Sequence, residues 1–363
     1  MAQENVYSPE SQADLGTFEE PYSKRSIAEL AVAHTFTSAT GNEAHVIMAT
    51  TPDTVENETS QKPVYFHGGY GVDNAKYLRY LAERHGRFAF TVVYGDKRKR
   101  DQTYWQEDPV TNEWQLVPRA YVRQHLAQLT GAVVAKGQVE MADDIFTAMD
   151  YLGIEKADAI GQSVGALRTV VAAYEEPERI GTIVLPYPAG VAKPSRRQML
   201  PNGMRYARAW RRQRMQGADK TWQPFLDQRT APFQKPVADI GADGDNVLLS
   251  YHAPLLHAMR QQKHAPGVAI VTGEHDHIFP THRILESLQD SEDLDYLFVA
   301  PGLHAIGNRR QIMDQTVRLL DMAESRTSAG ASCRKPLVER VLSHASVAPA
   351  YVESLRKEVE GLE

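Results

Sequence analysis

The stretch Asp158-Ala-Ile-Gly-Gln-Ser-Val-Gly-Ala166 decides how the chain is read, because it passes within a few residues from one backbone regime to another. Ile154 to Ile160 form a short run of strand length, while Ala166, Leu167, Val170, Val171 and Tyr174 recur at helical spacing. Gly161 and Gly165 lack a Cβ, so the backbone can turn sharply between strand and helix and hold Ser163 at the apex. The helix starts beneath that serine and aims its N-terminal N–H groups and positive dipole end at any negative oxygen formed there. Strand, G-x-S-x-G turn and helix in this order make a nucleophile elbow, the context without which the pentapeptide says little.

Outward from the elbow, strand and helix patterns alternate. Residues 31 to 52 read as a hairpin about the Gly41-Asn42 turn. Residues 63 to 71 give a buried strand ending in a glycine-rich loop, followed by a helix over 74–85 and a strand over 88–94. A helix over 139–152 leads into the elbow, and 180–186 reads as the next buried strand. Strands at 267–273 and 296–300, a helix over 280–288 and a last helix over 309–322 complete the rhythm. Such alternation predicts a mostly parallel sheet with right-handed crossovers and helices on its faces, an α/β fold.

Four segments fall outside it. Residues 1–25 are polar and acidic and read as an N-terminal arm. The insertion 97–136 carries the basic run Lys97-Arg-Lys-Arg100, Trp105, Trp114 and an amphipathic stretch near 121–129. Residues 190–262 lose the alternation and read as a cap or lid over the carboxyl edge of the sheet. Residues 325–363 read as a linker and a C-terminal helical appendage. The expected organisation is therefore a core of 26–189 and 263–324, interrupted by insertion and cap. The first part of the cap gathers Lys193, Arg196, Arg197, Arg205, Arg208, Arg211, Arg212, Arg214 and Lys220, with Tyr206 and Trp210 on one helical face. It reads either as a solvated face opposite a packed aromatic stripe, or as a surface that attracts an anionic substrate.

Bulk properties narrow the class. The 363 residues can bury a large core, and 42% hydrophobic with 24% charged residues is an ordinary globular balance. A net charge of −6 argues against general nucleic-acid binding. No apolar run approaches the ~20 residues of a membrane span, and no secretory signal is visible at Met1, so a cytoplasmic protein is expected. The single cysteine, Cys333, cannot form an intramolecular disulfide.

A serine hydroxyl becomes a good nucleophile only when a base takes its proton and a third group orients that base. Parallel strands deliver such groups to one edge, because their carboxyl ends point the same way. Ser163 follows one strand, Glu274 and Asp276 another, and His304 the last. Among thirteen histidines His304 alone lies directly beyond the final strand. Asp276 is preferred to Glu274 as the acid, since Pro280 suggests a tight turn presenting the side chain towards the histidine. The order Ser, Asp, His fits this architecture. Oxyanion donors are expected from the N–H of Val164 and from the loop His67-Gly68-Gly69-Tyr70-Gly71, with Gly69 the first choice and Tyr70 the second. His275, Asp276, His277 and His282 have metal-binding chemistry but no recognisable ligand spacing, so no metal is expected.

The set His67-Gly68-Gly69, Gly161-Gln-Ser163-Val-Gly165, Gly273-Glu-His-Asp276 and Gly302-Leu-His304 resembles the α/β-hydrolase superfamily, in order, from about residue 31 to 322. The resemblance implies an eight-stranded, mostly parallel sheet, a helical cap after the sixth strand, a Ser163-Asp276-His304 triad, an oxyanion hole at Gly69 and Val164, and no cofactor. Two features depart from it: the long insertion at 97–136, and Gln162 where a histidine is common in relatives. The expected activity is hydrolysis of a carboxylic ester or thioester, on a small acyl substrate. Amide or peptide hydrolysis, C–C bond hydrolysis and a low-turnover binding protein that keeps the triad remain alternatives, since the fold does not fix the chemistry.

Overall fold

The computed structural model describes residues 29–51, 62–69, 74–94, 103–125, 128, 130–193, 249–302, 309–329 and 336–362. Strands β1 (Glu29–Thr37) and β2 (Glu43–Thr50) form the expected antiparallel hairpin, and Gly41 adopts the left-handed φ of +73° that its turn requires. Next come β3 (Val64–His67), α1 (Asn74–His85) and β4 (Ala89–Tyr94). The insertion supplies β5 (Thr103–Glu107), β6 (Trp114–Pro118), the short helix α2 (Arg119–His125) and β7 (Val133–Ala135). The chain continues with α3 (Lys136–Tyr151), β8 (Ala157–Gly161), α4 (Gly165–Glu175), β9 (Ile180–Pro186), α5 (Ala253–Arg260), β10 (Gly267–Gly273), α6 (Thr281–Leu285), β11 (Tyr296–Ala300), α7 (Arg309–Ala329), β12 (Val341–Ser343) and α8 (Pro349–Glu360).

The main sheet has the order β1-β2-β4-β3-β8-β9-β10-β11-β12, antiparallel at the β1–β2 and β2–β4 pairs and parallel from β4 onwards. Among the described residues it has nine strands where eight were expected. The extra one is β12, from the appendage expected to be helical, and it pairs with the free edge of β11. Its three residues, Val-Leu-Ser, are too short to show a strand period, so only the open edge beside them selects the conformation.

The strands pair so that two helix layers cover the two faces. Tyr77, Leu78, Leu81 and Ala82 of α1 share one apolar cluster with Ile312, Met313, Val317, Leu319, Leu320 and Ala323 of α7. On the other face α3, α4, α5, α6 and α8 form the larger cluster, including Ile145, Met149, Leu167, Val170, Leu255, Leu285 and Leu355. The central strands β3, β8 and β10 are buried along their whole length, as a parallel sheet sandwiched between helices demands.

The insertion is a small sheet of order β6-β5-β7. Tyr104, Val117, Val122 and Val133 form its own core with Leu249 and Tyr251. Tyr251 exchanges backbone hydrogen bonds with Val133, and its hydroxyl donates to the Ser287 carbonyl at 3.4 Å. The N–H of Lys193 donates to the Ser287 hydroxyl at 2.8 Å. Lys193 and Tyr251 thus both bond to Ser287. Residues 253–260, read from sequence as part of the cap, form α5, which packs against α4. The N-terminal arm, the basic run at 97–100, the cap residues from Arg196 to Lys220 and Cys333 lie outside the described residues. Among the described residues no helix is long and apolar enough to cross a membrane.

Candidate active site

Ser163 stands between the end of β8 and the start of α4 with φ +52°, in the left-handed region that a residue with a Cβ rarely adopts. The surroundings hold it there. Its N–H donates to the Pro186 carbonyl at 2.9 Å, and its own carbonyl accepts from Ala166 at 3.1 Å and from Ala189 at 3.0 Å. The flanking glycines serve close approach. A Cβ on Gly161 would sit 2.5 Å from the Thr169 hydroxyl and 2.9 Å from the Cα of Ala166, and one on Gly165 would run into the carbonyl oxygen of His67. The elbow therefore stores its strain in the serine, while the glycines let α4 fold back against β8 and β3.

The glycine-rich loop leaves β3 beside this turn, where His67 pairs in register with Gly161. The His67 carbonyl accepts from the N–H of Gln162 at 2.9 Å, and the Gly68 N–H donates to the Asn74 side-chain oxygen at 2.9 Å. Gly69 then passes directly over the serine. A Cβ there would be 2.8 Å from Ser163 Cβ and 3.4 Å from its Oγ, so only glycine fits. Among the described residues no hydrogen bond takes up the N–H of Gly69 or of Val164. Tyr70, the second loop candidate, lies outside the described residues.

Asp276 follows β10 and is 4% exposed. Its Oδ1 accepts from the backbone N–H groups of Ile278 at 2.8 Å and Phe279 at 3.0 Å, the tight turn anticipated ahead of Pro280. The loop is zipped to the end of β11: Glu274 N–H donates to Ala300 and His275 N–H to Gly302, each at 2.9 Å. Gly302 is two residues before His304, which itself lies outside the described residues. The rival acid, Glu274, accepts from the N–H of Ala348 at 3.2 Å and is committed to the start of α8. Among the described residues no group of three metal-ligating side chains is close enough to hold an ion.

Several polar groups around the site escaped the sequence reading. Asn74 opens α1 and holds the glycine-rich loop from outside its motif. Arg168, on α4, is 2% exposed, with one terminal nitrogen 3.4 Å from His67 Nδ1. Tyr187, just past β9, is fully buried with φ +53°, its N–H donating to Val271 at 2.7 Å. His252 is fully buried ahead of α5, and both its ring nitrogens lack partners among the described residues. Burial pulls its pKa down to about 3. A charged residue on an otherwise apolar helix run, as in Ala166-Leu-Arg168, is the one signal that could have found any of them.

No protein-family model matches the sequence, and no curated protein does. Solved structures do. The hydrolase MGS-M2, an α/β-hydrolase enzyme from a Medee basin deep-sea metagenome library, matches with a TM-score of 0.50 at 12% identity, over 80% of this chain and 96% of that one. The 2-hydroxy-6-oxo-6-phenylhexa-2,4-dienoate hydrolase of Rhodococcus sp. strain RHA1 matches with a TM-score of 0.50 at 16% identity, over 81% and 99%. The chain has the α/β-hydrolase fold, as its resemblance in sequence implied.

Proposed function

We propose that the chain is a serine hydrolase of carboxylic esters or thioesters. Ser163 attacks the acyl carbonyl while His304 accepts the hydroxyl proton, and Asp276 orients the imidazole and stabilises its charged form. The oxyanion of the tetrahedral intermediate accepts from the N–H groups of Gly69 and Val164. His304 passes its proton to the leaving alcohol or thiol, the acyl-enzyme forms, and water attacks it by the same route in reverse.

One observation carries this reading. A serine held at φ +52° lies beneath a glycine that only a missing Cβ admits, and two backbone N–H groups beside it have no partner among the described residues. Asp276 supports it from the end of β10, two strands from β8 in the sheet, in a loop bonded to Gly302.

Ser163→Ala removes only the hydroxyl. It is expected to abolish p-nitrophenyl ester turnover and fluorophosphonate labelling, with an unchanged circular dichroism spectrum. Turnover that persists in this variant contradicts the reading. Labelling at Ser163 with negligible hydrolysis across acyl esters and acyl-CoAs assigns a binding role instead.

A further inference from the structure

Arg168 is the largest fully buried side chain among the described residues. It sits on α4 five positions beyond the serine, between Leu167 and Val170, which are both fully buried. A guanidinium keeps its charge, and burying it costs several kcal/mol unless partners repay the lost hydration. Its partners form a chain. One terminal nitrogen lies 3.4 Å from His67 Nδ1, and Cζ lies 5.3 Å from the centroid of the Tyr94 ring. The Tyr94 hydroxyl donates to Asp144 Oδ2 at 2.9 Å, and Ala39 N–H donates to Oδ1 at 3.0 Å. Asp144 is 1% exposed, so the cation has a buried counter-charge across the tyrosine. An aliphatic residue would fill the same space without this desolvation, so stability alone does not account for the arginine.

The direction of the contact matters. His67 is the last residue of β3, and two residues later Gly69 lies over Ser163. Arg168 belongs to the helix that begins just after Val164. The two prospective oxyanion donors thus belong to different elements, and Arg168 reaches from one to the other.

We propose that Arg168 is a positioning residue that braces α4 against His67 and so fixes the separation of the Gly69 and Val164 donors. Because the guanidinium can only donate, His67 accepts through Nδ1, is neutral, and carries its proton on Nε2. The catalytic consequence rests on the serine hydrolase reading; the tautomer and the loop order do not.

Three measurements on the full chain test it. Nitrogen-15 NMR of the wild type at neutral pH is expected to show His67 as the Nε2–H tautomer. Hydrogen exchange at Gly68, whose N–H is bonded to Asn74, is expected to speed up about tenfold in Arg168→Met and much less in Arg168→Lys. The rates of fluorophosphonate labelling and of p-nitrophenyl acetate turnover are expected to fall about 10- to 100-fold in Arg168→Met at nearly unchanged KM, with partial recovery in Arg168→Lys. An Nδ1–H tautomer or an imidazolium at His67 overturns the brace even if Arg168→Met does not fold. So does a folded Arg168→Met with wild-type exchange and wild-type labelling. A wild type that is not labelled at Ser163 sinks the hydrolase reading alone, and the tautomer and exchange results still decide the brace.

Discussion

Ser163 holds a backbone conformation that costs on the order of 1–3 kcal/mol, and it is kept there by its N–H donating to Pro186 and its carbonyl accepting from Ala166 and Ala189. The chain spends stability at the residue on which the proposed chemistry depends. Its flanking glycines were legible in the sequence, because a G-x-S-x-G between a strand and a helix has few other uses. Arg168 and Asn74 were not legible as supports, since a buried arginine and a helix-opening asparagine look like solvent-facing residues until the fold brings β3 alongside them. His252 shows the same limit and leads to a prediction about pH. Burial holds it neutral, with a pKa near 3 against 6.5 when exposed. The unfolded chain therefore takes up a proton below about pH 6.5 that the folded chain refuses, and stability falls as the pH drops from there towards 3. His252→Leu removes this linkage. Urea denaturation at pH 7.5 and pH 4.5 is expected to show the wild type losing on the order of 2–3 kcal/mol more than the variant; equal losses would show that His252 is not the group responsible.

The elements divide by how much of their information is local. The hairpin about Gly41, the helix over 74–85 and the strands around β8 and β10 carry their own period, and the structure places them where the sequence did. The insertion and the C-terminal segment do not, because their strands are short and their partners distant: β5 pairs with β7 across α2, and β12 needs the edge of β11. The C-terminal segment is nevertheless built into the core. Arg340 donates to the carbonyls of Leu294 and Asp295, and Arg260 and Arg326 both reach Asp295 Oδ1 at 3.0 Å. Val352, Leu355 and Val359 of α8 are buried in the larger apolar cluster alongside Phe279 and Leu285, which flank the Asp276 turn and α6. Leu355→Ala is therefore expected to cost about 2–5 kcal/mol, the range for a core leucine, read as a lower urea midpoint at unchanged slope. A change within about 0.5 kcal/mol would mean that α8 is a loosely attached tail.

At the scale of the whole molecule, one sheet does the organising. Its parallel strands from β4 to β12 bring the ends of β3, β8, β10 and β11 to a single edge, and the glycine-rich loop, Ser163, the Asp276 loop and Gly302 all follow those ends. The small β6-β5-β7 sheet grows from the carboxyl end of β4 and returns to α3. It also takes up Tyr251, where the chain comes back after residue 193. This gives the long insertion a place in the fold that composition did not suggest. The central claim is that a hydroxyl, an imidazole and a carboxylate meet at that edge in front of two backbone donors. A crystal structure of the fluorophosphonate-treated protein tests it most directly. The account predicts phosphorus bonded to Ser163 Oγ, the phosphoryl oxygen within hydrogen-bonding reach of the N–H groups of Gly69 and Val164, and the His304 imidazole between Ser163 and Asp276. An adduct on another residue, or an imidazole at position 304 turned away from both, would contradict it.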